Sequence, residues 1–404
     1  MSNSVESVVS AGGMEPGRGV DVPVRTSAGL ARSSPLTDAM ENKLILGLFL
    51  PLQEGAWSPS SAPRETSWTF DYNARCAALA ERYGFDLAFG LGQWLGKGGY
   101  GGETSFREHE LDPLISSAAL AATTEKILLI STVHVLYGWH PVHLAKFGAC
   151  IDHISGGRWG LNVVTGYKPS EYRMFGLEPI EHDLRYTMAA EFTEMLTTLW
   201  DSSDNVSREG DFWSMNDAHI LPKPVHGRPV IVNAASSTAG LEYAAQYSDL
   251  IFITSPGGAD PHRAVETLPD HNHRIKSLAR ARGRDVRTVI NPHVICRETE
   301  KEAWAAYQRI LDHEDTVAAD NFVAGFTGGD NRSWRGHSRE QWVVGGNVHI
   351  VGTPEQVVEW FGRLHEAGCD GVQVNFFDYL PDLELFGEQV VPLMVEAGLR
   401  KGAA

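Results

Sequence analysis

The sequence predicts an α/β protein built as a (β/α)8 TIM barrel with insertion loops. Three observations carry that prediction. Short β-rich runs alternate with longer stretches of helical periodicity from residue 43 to the C-terminus. The β-rich runs number eight, the count a closed barrel needs. The first run leads into "LPLQEGAWSP" and not into the GxGxxG turn of an open dinucleotide-binding sheet.

Each element has its own signal. Leu44–Pro51 is continuously apolar and stopped by proline, as a strand buried on both faces is. Trp68–Tyr83 carries apolar residues at helical spacing and stops at Gly84, a C-cap signal. Phe85–Leu91 is the second strand. Pro113–Ala122 is a helix, Ile127–Val133 the third strand, His143–Ile154 a helix and Trp159–Val164 the fourth strand. In Leu184–Trp200, the residues Met188, Phe192, Met195, Leu196 and Leu199 share one helical face. Arg228–Ala234 is the fifth strand, and Ser236 or Ser237 caps the helix running through Ala245. "SDLIFIT" is the sixth strand, with a helix to about Arg282 behind it. "TVINPHVIC" is the seventh, with a helix from Thr299. Helix Pro354–Ala367, strand "GVQVNFF" and a helix from Leu383 complete the alternation.

Two segments interrupt it: Gly90–Glu108 and about 314–346. Loops of such length in a compact domain are mostly functional, and the second is read as lid-like. Residues 1–41, rich in Gly, Ser, Pro and Arg without an apolar core, read as a disordered tail. Met40 stands directly before the first strand and is a candidate start. Residues 42–404 form the single barrel domain.

Composition excludes several classes. The net charge of −17 argues against binding nucleic acid or an anionic membrane surface. No window is apolar enough to span a bilayer. The four cysteines are scattered and form no CxxC, as reduced thiols of a cytoplasmic protein do. His140 and His143 lack the glutamate of HExxH, so no metal is expected.

The chemistry-bearing residues cluster at strand ends. Thr132 and His134 alternate in the third strand and point the same way. Asn162 interrupts the apolar fourth strand. A buried amide needs several hydrogen-bond partners, and leaving them unmade costs about 1–3 kcal/mol. Two neighbouring strand ends thus offer Thr, His and Asn to one cavity, suited to the amide edge of a planar heterocycle. Ser237 opens a helix, which serves as a plain cap or, with Arg185 and Tyr186, as a phosphate site.

The stretch "IDHISGGRWGLNVVTGY", followed in order by "EHDLRY", "GDFW", "RPVIVNAASSTAG", "AAQYSDLIF" and "VGTPEQVVEWFGRLHEAGCDGVQV", resembles the bacterial-luciferase-like flavin monooxygenases. The chain is most like their dimethylsulfone and pyrimidine oxygenases, from Leu44 to the C-terminus. The resemblance implies a luciferase-like barrel that takes reduced FMN from a separate NAD(P)H:flavin reductase. With O2 it would oxidise a small organic substrate, often breaking a C–S or C–N bond. It also implies a homodimer or homotetramer. By position, Asn162 matches a flavin-contacting asparagine and Thr132 a threonine where oxygen reacts. In pyrimidine-type members such a pair goes with a flavin N5-oxide in place of a C4a-peroxide. Glu171, Arg185 and Tyr186 match flavin contacts, and Ser237 a contact on the phosphate side. Gln93 falls near another contact, in a loop longer than that of the pyrimidine enzymes. His134 replaces a small residue of those enzymes. His134 and His109 are the candidates for substrate polarisation or proton transfer. Two alternatives share the fold: a deazaflavin (F420)-dependent dehydrogenase and a non-catalytic flavin-binding protein.

Overall fold

The computed structural model describes residues 34–234, 236–327, 338–345 and 348–402. Eight parallel strands close on themselves. They are β1 (Ile45–Phe49), β2 (Leu87–Gly90), β3 (Leu128–His134), β4 (Trp159–Val164), β5 (Val230–Asn233), β6 (Leu250–Ile253), β7 (Arg287–Ile290) and β8 (Gly371–Val374). Each pairs with the next along the chain, and β8 returns to β1. The (β/α)8 barrel expected from the alternation is the fold.

Period-two alternation sorts the strand residues. Ile45, Phe49, Leu87, Phe89, Leu128, Ile130, Val230, Val232, Leu250, Phe252 and Val289 fill the barrel interior. The residues between them, such as Leu46, Leu48, Leu129 and Val372, face the helices. Continuing the inward series past Ile130 reaches Thr132 and then His134. The inward residues of β4 lead likewise to Asn162. The interior is therefore apolar below and polar at the C-terminal ends, where barrel chemistry occurs.

Four features depart from the sequence expectation. Residues Pro35–Ala39 form a helix inside the stretch read as a disordered tail over 1–41. Ser34 caps it in a capping box with Thr37. Leu36, 1% exposed, packs with Ile45, Leu87 and Leu128 and closes the barrel floor. Residues 1–33 lie outside the described residues. The run 288–296 is two strands. β7 ends at Ile290, and Pro292–Cys296 leaves the barrel to pair in parallel with Val348–Gly352. Pro292 has no N–H to continue a barrel ladder. A hairpin of Val206–Glu209 and Ser214–Ala218 projects after the helix His182–Asp201. The 314–346 insertion contains helices Thr316–Thr327 and Arg339–Val344. Residues 328–337 and 346 of it lie outside the described residues.

The two irregular segments fold on each other. Asp315 accepts from Thr104 N and Thr104 Oγ1, both at 2.8 Å. Asn321 Nδ2 donates to Tyr100 O at 2.8 Å. Phe322 meets Tyr100 and Phe106 edge-on at 5.0 and 5.2 Å. Gly102 adopts φ +76, and a Cβ there would lie 2.2 Å from the Asp315 carboxylate. No helix among the described residues is long and apolar enough to cross a membrane.

Candidate active site

A cavity opens at the C-terminal ends of the strands. Its apolar wall is Phe49, Phe89, Phe252 and Phe326, and its polar residues include Thr132, His134, Asn162, Glu171 and Ser237. Thr132 and Asn162 are register partners of β3 and β4. Asn162 Nδ2 donates to Thr132 Oγ1 at 2.9 Å. Both residues are almost wholly buried. Asn162 Oδ1 is buried without a partner. Asn233 Nδ2 donates to Val163 O at 2.7 Å, which leaves Asn233 Oδ1 buried and unpaired as well. Gln373 Oε1, on β8, is a third. Three orphaned acceptors around one cavity are costly unless a ligand bearing N–H groups meets them.

The loop after β4 builds one wall. Thr165–Gly166 ends the strand in a tight turn, because Gly166 takes φ +77 and any Cβ would strike the Tyr137 ring at 2.4 Å. Helix Pro169–Met174 follows and turns Glu171 back to the cavity. Glu171 Oε2 accepts from Tyr137 OH at 2.7 Å, and Oε1 lies 3.5 Å from Lys168 Nζ. Lys168 donates in turn to Tyr100 OH at 2.8 Å. Tyr137 stacks on His134, ring centres 4.9 Å apart. Burial holds the His134 imidazole below its ordinary pKa, so it stands neutral at neutral pH. It can accept or donate one proton through a hydrogen bond without carrying charge.

The opposite end suits an anion. Ser237 Oγ accepts from Gly240 N and caps the helix Thr238–Tyr247. Tyr186 hydrogen-bonds Ser237, and burial raises its phenol pKa. Arg185 NH1 donates to Gly166 O at 2.6 Å, tying this end to the Asn162 strand. A guanidinium, a phenol and a helix N-terminus are donor groups of the kind that suit an anion.

The structure gathers Thr132, Asn162, His134, Glu171, Arg185, Tyr186, Ser237 and Gln93 along the cavity. Gln93 is already engaged at both ends, donating to Tyr100 OH at 2.7 Å and accepting from Arg107 NH1 at 2.8 Å. It props the loop more than it offers a free amide. His109, expected to polarise substrate or transfer a proton, lies outside the cavity lining. Its side chain is 53% exposed, hydrogen-bonded to Glu54 at 2.9 Å and stacked on Trp68.

The luciferase-like monooxygenase model matches residues 45–371. The chain belongs to the luciferase-like monooxygenases. Within this family it is 33% identical, over 90% of its length and 99% of the other, to the FMNH2-dependent dimethylsulfone monooxygenase of Pseudomonas putida. It is 32% identical to pyrimidine monooxygenase RutA of Acinetobacter baylyi, over 86% and 94% of the two chains. Riboflavin lyase RcaE, solved with modified FMN and riboflavin, superposes with a TM-score of 0.78 at 25% identity, over 89% of this chain and 92% of that one.

Several residues of this luciferase-like site escaped the sequence reading. Tyr137, Tyr167 and Lys168 sit in loops, where tyrosine and lysine read as surface. Asn291 follows β7 inside a run taken as one strand. The signal for Asn291 was the one that found Asn162, an amide among apolar residues.

Proposed function

We propose that the protein is the oxygenase of a two-component system. It takes FMNH2 from a separate NAD(P)H:flavin reductase and uses O2 to oxidise a small organic substrate of sulfone or pyrimidine type, with C–S or C–N cleavage. The observation that carries the proposal is the Thr132–Asn162 pair, 2.9 Å apart, with Asn162 Oδ1 buried and unsatisfied in the cavity.

The residues fit FMN. The buried, unpaired amide oxygens of Asn162, Asn233 and Gln373 are acceptors that would suit its ring N–H groups. Its phosphate suits Ser237, Arg185 and Tyr186. Bound FMNH2 would supply the electrons that reduce O2, one oxygen atom going to substrate and the other to water. The protein's own tasks are narrower. Thr132 and Asn162 hold hydrogen-bonding groups where oxygen reacts. His134, neutral and stacked, orients substrate or passes a proton at its ring nitrogens. Phe49, Phe89, Phe252 and Phe326 keep the cavity dry. Phe326 belongs to the 314–346 insertion, whose described helices act as the lid.

The reductase supports a cytoplasmic site, where NAD(P)H is available. A homodimer or homotetramer is part of the same reading, and Ile115, Phe147 and Ile154 give the outer helices exposed apolar surface for it. The two relatives reported above are both oxygenases, which favours oxygen chemistry over deazaflavin hydride transfer or mere flavin storage.

The test supplies FMN, a flavin reductase, NADH and 18O2 with sulfones and uracil-like rings, and reads products by mass spectrometry. One labelled oxygen in product is expected. A protein that binds neither FMN nor FMNH2 overturns the proposal.

A further inference from the structure

Three side chains behind the cavity wall form a directed hydrogen-bond chain. Asn291 follows β7, is 7% exposed and lines the cavity. Asn375 Nδ2 donates to Asn291 Oδ1 at 2.8 Å and to Pro292 O at 3.1 Å. Asn375 Oδ1 pairs with His293 Nδ1. Asn375 and His293 are both 0% exposed.

The direction of the chain follows from one group that cannot reverse. A backbone carbonyl only accepts, so the Asn375 group facing Pro292 O is the NH2. The Asn375 oxygen then faces His293, whose Nδ1 must carry the hydrogen. The second Asn375 N–H requires an acceptor, so Asn291 turns its oxygen inward. What remains for the cavity is Asn291 Nδ2, a donor with no hydrogen bond among the described residues. In the strand order β7 lies across the barrel from β3. Asn291 therefore faces the cavity from the side opposite Thr132 and His134.

We propose that Asn291 is a specificity-determining donor, giving an N–H to an uncharged carbonyl or sulfonyl oxygen of the substrate, and that His293 is a positioning residue acting through Asn375. This rests on the oxygenase reading above. It adds a requirement that the substrate bear a neutral oxygen acceptor reachable from β7. His293 contributes whether neutral or protonated, because Nδ1 donates in both forms. A substitution that removes that hydrogen leaves Asn375 Oδ1 buried and unpaired and loosens the hold of Asn375 on Asn291.

The test uses the FMN-loaded protein with dimethyl sulfone and uracil as probes, one for each oxygen chemistry. Calorimetry reads probe affinity, and flavin fluorescence reads FMN affinity separately. Asn291→Ala is expected to weaken whichever probe the wild type binds by about three- to tenfold, the loss of one neutral hydrogen bond. FMN affinity should hold within twofold. In turnover KM should rise by the same factor with kcat nearly unchanged. His293→Leu should weaken binding in the same sense, and His293→Asn should restore it, since an Asn amide reaches the Nδ1 position. Unchanged probe affinity in Asn291→Ala overturns the proposal. So does a matching loss of FMN affinity, which would assign the donor to the flavin. Failure of both probes to bind the wild type also overturns it. Oxygen consumption by the wild type with FMNH2, measured alongside, reports on the oxygenase reading by itself.

Discussion

Replacing Lys168 with Met should destabilise the protein by about 3–5 kcal/mol, the range for stripping one partner from a buried ion pair. Lys168 and Glu171 are 3% and 1% exposed, with Nζ 3.5 Å from Oε1. Methionine keeps the apolar stem beside Phe326 and removes only the ammonium. Glu171 then retains Tyr137 OH at 2.7 Å and Trp94 N at 3.4 Å, two donors but no cation. A buried carboxylate so placed is undercompensated. The double variant Lys168→Met/Glu171→Gln removes both charges, and Gln still offers an oxygen to Tyr137. Replacing a whole buried pair is often near neutral, so the double variant should recover about 2 kcal/mol or more of the loss. Urea unfolding read by tryptophan fluorescence gives the midpoints, and equal m-values keep the comparison valid. A loss below about 1 kcal/mol for Lys168→Met, the worth of a solvated pair, would refute the reasoning. So would a double variant no more stable than Lys168→Met.

Other expectations follow from the site. Thr132→Val keeps the shape but leaves Asn162 Nδ2 without its 2.9 Å acceptor; product per FMNH2 should fall at least tenfold while peroxide rises, measured by coupled product and peroxide assays, and unchanged coupling would exclude Thr132 from oxygen chemistry. Ser237→Ala should weaken FMN by about tenfold and riboflavin hardly at all, read by fluorescence titration, because only FMN carries the phosphate. His109→Ala should leave kcat/KM within twofold, as an exposed residue outside the cavity. Burial lowers the His293 pKa from 6.5 to about 4. The unfolded chain thus binds a proton below about pH 6.5 that the native state refuses, and stability falls as pH drops through that window. The loss is about 2 kcal/mol between pH 7.5 and 5, and His134, also lowered by burial, adds to it in the same direction. Urea midpoints at the two pH values check it, and His293→Asn should flatten the slope.

The barrel was legible because alternation reports burial directly. Trp159–Val164 is observed with the boundaries expected, since five apolar or small residues around Asn162, bounded by Gly-containing turns, leave little choice. The Thr132–Asn162 pairing followed from Thr132 and His134 sharing one face of a buried strand and Asn162 interrupting its neighbour. Where the reading failed, local pattern and tertiary burial disagreed. "TVINPHVIC" reads as one strand because nothing in its alternation marks Asn291 as a corner. Leu36 looked disordered because one leucine among Ser and Pro has no periodicity; the open barrel floor makes it core. Lys168 reads as solvent-facing, and only the fold surrounds it with Tyr100, Phe326 and Glu171. His109 has only its residue type to suggest chemistry, with no strand alternation to place it at the cavity.

The contact between the two irregular segments bears on how substrate range can change. Thr104 and Asp315 stand 211 positions apart, yet they hold one wall together. A graft of the 91–112 loop from a relative would strand the Asp315 carboxylate and the Asn321 amide. A graft of the Thr316–Thr327 helix would strand the loop's glycine turn. Each segment is therefore the other's template, and new specificity is gained by exchanging them as a matched pair.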